Sequence, residues 1–85
     1  MSTHYNPRTV NTVTKALEAL TYANKNKMRM ATACKALNYN RNLITGTNQV
    51  YERYYEEGKI GKTLYNQYTA QLNRYNKIQA KLAVA

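Results

Sequence analysis

"ATACKALNYNRNLITGTNQV" (residues 31–50) is the stretch on which the reading of this chain turns. With Met30 just before it, Ala33, Cys34 and Leu37 recur at i, i+3, i+4 and i+7, the spacing that lines one face of a helix. Asn38 follows, and Asn accepts a left-handed backbone better than any residue except Gly. The helical period then resumes with Leu43, Ile44, Thr47, Val50, Tyr51 and Tyr54. Two helices joined by so short a turn make either a helix-turn-helix or an ordinary corner of a helical bundle. Ala33 is small enough for close helix approach, Tyr39 is placed to fill the gap, and Ile44 is placed to anchor the second helix.

The same period extends outward on both sides. In "HYNPRTV" (4–10), Asn6 can cap a helix, Pro7 suits its first position, and Tyr5 and Val10 hold the two places of a hydrophobic staple. Val10, Val13, Leu17 and Leu20 then predict a helix over 7–23, ended by "NKNK" (24–27). The central stretch predicts helices over 27–37 and 41–57, the latter ended by Gly58 and weakened by Gly46 by about 1 kcal/mol relative to Ala. Leu64, Tyr68, Leu72, Tyr75, Ile78 and Leu82 predict a fourth over 62–84. No strand alternation is present. The expected fold is all-α: one small domain over 1–85, four helices with a helix-turn-helix-like corner, a long C-terminal amphipathic helix, and a flexible arm at 1–6.

The 85 residues bury under roughly 70% of the surface that the unfolded chain exposes. Leu, Ile, Val and Met total 17, with no Phe or Trp, so the nine tyrosines must furnish core, rings inward and hydroxyls on a partner or water. Tyr51, Tyr54 and Tyr55 beside Arg53 could stack bases. They read more simply as half-buried core. Cys34, on an apolar stripe, reads as a small hydrophobe.

Charge narrows the partner. Thirteen Lys and Arg face four Glu and no Asp, a net charge of +9. No acid lies between Glu18 and Glu52, nor after Glu57, and Glu52, Glu56 and Glu57 read as a solvated patch pairing with Arg53 and Lys59. Such an excess points to a polyanion, nucleic acid before anionic membrane; the bland alternative is a basic face kept for solubility or for an acidic protein. One Cys and one His exclude a disulfide and a zinc cage, and the acids are too few for acid–base pairs. No enzyme activity, metal or cofactor is expected. No apolar run approaches a membrane span and "MSTHYNPR" lacks a signal-peptide core, so a soluble protein of the bacterial cytoplasm is expected.

On the outward side of the third helix stand Asn40, Arg41, Asn42, Thr45 and Gln49, the side-chain types that bond base edges. Lys27, Arg29 and Lys35 could take phosphates on the flank. "ACKALNYNRN" (33–42) resembles the helix-turn-helix of bacterial transposase-type and phage regulatory proteins, which often read "A-C-x-A-L-G-V-S-R-S-x". Ala33, Cys34, Ala36, Leu37 and Arg41 match. Asn38 stands where that family favours Gly, Tyr39 where it favours a small aliphatic, and Thr47 where it favours a large apolar residue. The resemblance covers residues 30–50 and implies double-stranded DNA as partner and transcription regulation as role. Further on, "YEEGKIGKTLYNQYTAQL" (55–72) is similar to the short C-terminal oligomerisation module at Gly58, Ile60, Tyr65 and Leu72, with Lys62 and Thr63 replacing its acids.

The expected function is that of a small, basic, non-enzymatic DNA-binding regulator, encoded by a phage or mobile element. The alternative is an accessory protein that inhibits a host protein or defence complex, its basic face on an acidic or nucleic-acid-binding surface and its tyrosines as hot spots. A virion component is a third reading. A homodimer through Tyr75, Ile78 and Leu82 is expected, because three helices of about 24 Å or less cannot cover a fourth of roughly 34 Å.

Overall fold

The computed structural model describes residues 6–84, and its helices are α1 (Pro7–Asn26), α2 (Met30–Leu37), α3 (Asn42–Glu56) and α4 (Lys62–Val84). No strand occurs among the described residues, so the chain is all-α with a long C-terminal helix. α1 starts as its sequence dictates. The Asn6 Oδ1 accepts the Arg8 and Thr9 N–H groups at 3.0 and 3.2 Å, and Pro7 occupies the first turn, where its missing donor costs nothing. Asn6 does not belong to a free arm: its own N–H donates to the Lys59 carbonyl at 3.2 Å. Tyr5 of the expected staple, and residues 1–5 of the expected arm, lie outside the described residues.

α1 runs three residues past the expected end at 23, because Asn24 is buried and occupied instead of breaking the helix. Its Nδ2 donates to the Gln71 carbonyl at 3.0 Å and to the Gln71 Oε1 at 2.8 Å, holding α1 to α4. The helix ends at Lys27, which takes the left-handed conformation (φ 52°, ψ 48°) and returns its N–H toward Ala23 and Asn24. Lys27 therefore closes α1, and α2 begins at Met30 and not at 27. At the next turn Asn38 is left-handed as expected (φ 62°, ψ 37°). Gly58 closes the third corner at φ 75°, and Ile60, 1% exposed, seals it from inside.

The core forms around α1, which packs on each of the other three helices, while α3 also packs on α4. One helix touching three neighbours must bury a wide face. Val13, Ala16, Ala19, Leu20, Ala23 and Asn24 are all buried and span an arc of about 140° at 100° per residue. The expected Val/Leu stripe covers only one side of that arc, and Val10 and Leu17 are half-buried. Three alanines let the neighbours approach closely. Outside α1, Tyr68, Ile44 and Ile60 are the largest side chains that are fully buried.

Candidate nucleic-acid interface

The α2–α3 corner is built around two backbone devices. The left-handed Asn38 lets the Tyr39 N–H return to the Cys34 carbonyl at 2.7 Å, which stops α2. The Asn40 Oδ1 then accepts the Asn42 N–H at 2.9 Å, an Asx turn that leads into α3. Ala33 and Cys34 from α2, with Ile44 and Thr47 from α3, face the core. Both helices rest mainly on α1. Tyr39 is half-buried in the corner, and its hydroxyl donates to the Glu18 Oε1 at 2.6 Å, tying the turn to α1. That bond holds the Tyr39 phenol above its ordinary pKa, with weaker help from burial and the Glu18 charge. Burial likewise pushes the Cys34 thiol up, so it is a packing group and not a reactive thiolate.

All eight residues expected to meet nucleic acid are exposed: Lys27, Arg29, Lys35, Asn40, Arg41, Asn42, Thr45 and Gln49. They do not form one group. Arg41, Thr45 and Gln49 stand one above another on the outer face of α3, with Asn42 alongside and Asn40 partly committed to its Asx turn. Thr45 Oγ1 lies 3.9 Å from the Met30 sulfur, so the start of α2 borders the same face, with Arg29 just before it. Lys35 sits in the last turn of α2. Lys27 belongs elsewhere: it lines a recess with Ile78, Lys81 and Leu82 at the far end of α4.

The outer ridge of α3 changes sign along its length. Below Gln49 the next exposed positions are Glu52, Arg53 and Glu56, two acids to one cation. A polyanion can follow α3 through its first two turns and is repelled beyond them. Lys59 pairs with Glu57 at 3.1 Å and sits 5.6 Å from the Tyr54 ring centre, and this is the one ion pair among the described residues. Arg53 is not part of it. The cations of α1, α2 and the corner are left without acidic partners.

The tyrosines divide as core material. Tyr51 is buried between Tyr65 (centroids 5.4 Å) and Tyr68 (4.6 Å), and Tyr55 stacks on Tyr65 at 4.4 Å. Tyr51 shares a hydrogen bond with Thr69 at 3.0 Å, and the Tyr68 hydroxyl donates to the Asn48 Oδ1. Burial first, then the nearby Tyr51, pushes the Tyr68 phenol far above its ordinary range. The rings are spent on one another.

One expected interface residue is placed differently. Tyr75 is 7% exposed within its own chain, and its hydroxyl accepts the Met30 N–H at 2.9 Å. It cannot serve a surface between copies. α1 is longer than expected: at 20 residues it runs about 30 Å, and the 27–30 connection reaches further still along α4. Gln79 Nε2 donates to the Met28 carbonyl at 3.1 Å. Gln71, Tyr75 and Gln79, at i, i+4 and i+8, thus form a polar ladder that seats α4 against the end of α1 and the start of α2. The apolar period that predicts the fourth helix includes neither Gln71 nor Gln79. Polar residues on an apolar stripe at helical spacing were the signal. What stays exposed is Leu82, at 46%, with Ile78 half-buried beside it.

Among the described residues no cluster of His, Cys, Asp and Glu could hold a metal ion, and no helix is long and apolar enough to cross a membrane. Compared with protein-family models, curated proteins and solved structures, the chain finds no match.

Proposed function

We propose that the protein binds double-stranded DNA without catalysing a reaction, presenting the α2–α3 corner to the duplex. The first turns of α3 enter the major groove, where Arg41, Asn42, Thr45 and Gln49 meet base edges, and Arg29 and Lys35 take phosphates on either side. The observation that carries the reading is the conjunction at this corner: an αL-terminated short helix, then a helix start whose exposed residues, Gly46 apart, are amides, hydroxyls or cations, with no acid before Glu52. Glu52 and Glu56 limit the reading face to the first two turns, so the helix enters end-on and does not lie along the groove. A role in regulation follows from such binding in a protein without a catalytic constellation.

Paired substitutions test this. Arg41→Ala weakens binding to a preferred duplex by about 1–3 kcal/mol and flattens the preference, if it bonds a guanine edge. Lys35→Ala weakens all duplexes alike. Losses that are uniform for both reduce Arg41 to a phosphate contact. No loss for either, with binding instead to an acidic host protein, replaces this reading with that of an inhibitor of a host complex.

A further inference from the structure

The second half of α4 carries a charged face that the corner does not account for. Arg74, Lys77 and Lys81 are exposed, and they fall within about 60° of arc over about 10 Å of helix. No acid occurs anywhere in the 23 residues of α4, and two exposed amides, Asn73 and Asn76, flank this arc on one side. The recess formed by Lys27, Ile78, Lys81 and Leu82 brings a fourth cation to the same end. The nearest end-to-end balance is absent. Glu18, about 13 Å back along α1 from Lys27, accepts from the Tyr39 hydroxyl, and Glu56 and Glu57 lie toward the other end of α1, about 30 Å away.

Lys27 adds a second observation. It sits in a left-handed backbone conformation that Gly adopts without cost and an L side chain resists. A lysine there gives up stability and contributes a cation beside Lys81. The occupant is fixed by what α4 has left to offer. A helix that lies on an anionic membrane must immerse a broad apolar face. The apolar face of α4 is already used against α1 and α3, through Leu64, Tyr68, Leu72 and Tyr75. Among the described residues only Leu82 is a large apolar side chain that is substantially exposed. Cations on one arc, flanked by amides on a helix that carries no acid, fit the phosphate–sugar backbone of a nucleic acid.

We propose that Lys27, Arg74, Lys77 and Lys81 form a second phosphate-backbone site at the α4 end, separate from the α2–α3 corner and indifferent to base sequence. The inference rests on the nucleic-acid reading of the protein but on different residues, so the two can fail separately. The test is titration of the full chain against two unrelated duplexes over a range of salt, with vesicles of phosphatidylserine and phosphatidylcholine as a parallel probe. The triple variant Arg74→Gln, Lys77→Gln, Lys81→Gln lowers the magnitude of the log K against log salt slope by about 2.7, at about 0.9 per phosphate lost. The ratio of affinities for the two duplexes is unchanged. Lys27→Gly raises the melting temperature while lowering the slope by about 0.9. Opposite signs separate the contact from any loss of folding. An unchanged slope in the triple variant, with Arg41→Ala still effective, overturns the second site and leaves the corner standing. Wild-type protein that binds vesicles and not duplex overturns both.

Discussion

Removing the Tyr75 hydroxyl isolates one bond whose consequences can be worked out in advance. α2 has eight residues, and Arg29 at its N-cap supplies no side-chain hydrogen bond. Ala33 is the first residue to close back, onto the Arg29 carbonyl at 3.0 Å, so the Met30 N–H is one of the donors that the helix itself cannot satisfy. Tyr75 satisfies it at 2.9 Å from across the core. Tyr75→Phe keeps the ring and removes that acceptor, equivalent to deleting a helix cap, at a cost of about 1 kcal/mol and up to about 2. For a domain of this size, each kcal/mol lowers the melting temperature by about 4–8 °C. Tyr75→Ala also empties a buried ring site, costing about 3–5 kcal/mol. Total stability at about 0.05–0.15 kcal/mol per residue is about 4–13 kcal/mol, so the alanine variant sits near the edge of folding. Thermal unfolding followed by circular dichroism, at two protein concentrations, measures both. Amide exchange at Met30 and Ala31 gives the local readout and speeds up in the phenylalanine variant. A Tyr75→Phe protein with the melting temperature and exchange rates of wild type refutes the capping argument. A melting temperature that depends on concentration only in wild type returns Tyr75 to an interface.

Three other outcomes follow from the same packing. Gly46→Ala on α3 meets no atom within 4 Å of the added Cβ, so helix propensity alone decides and the variant gains about 0.8–1 kcal/mol in thermal unfolding. Gly58→Ala places a Cβ at φ 75° and loses about 1–2 kcal/mol by the same measurement; equal effects at the two glycines would contradict the assigned backbone. Tyr39, through its bond to Glu18, and Tyr68, through burial, have phenols raised above the ordinary 10.0, so their neutral forms stabilise the fold. That contribution is complete below pH 10.0 and is lost as pH rises through the higher folded values. An alkaline titration by tyrosinate absorbance should show these phenols ionising late and together with loss of helix; nine tyrosines titrating as one, with the fold intact, would contradict it.

Much of the fold was legible because its signals are local. Asn6–Pro7, Asn38 and Gly58 act through their own backbone preferences, and each punctuates the chain where its chemistry says it should. Lys27 was not readable as a terminator, since nothing in a lysine announces a left-handed conformation. The alanines of α1 were silent for another reason: Ala suits exposed and buried helix positions alike, and only contact with three helices selects Ala16, Ala19 and Ala23 for burial. The polar ladder of Gln71, Tyr75 and Gln79 depends on partners 45 to 51 residues away, and no local pattern contains them. For the candidate site, exposure of Lys35, Asn42, Thr45 and Gln49 followed from the helical period, while Lys27, Arg29, Asn40 and Arg41 are exposed as cap and turn residues. Their division into two groups did not follow from it, because it is set by where α4 meets the end of α1.

The central claim is that the uncompensated charge serves a nucleic-acid backbone, and the salt dependence of duplex binding tests it most directly. The measurement is the dissociation constant for a random-sequence duplex at about 50 and 200 mM salt. Contacts from the corner and the α4 end together amount to about six phosphates, which predicts an affinity loss of about 10³-fold across that interval. Absence of binding at the lower salt, or binding that the added salt leaves unchanged, would contradict the account.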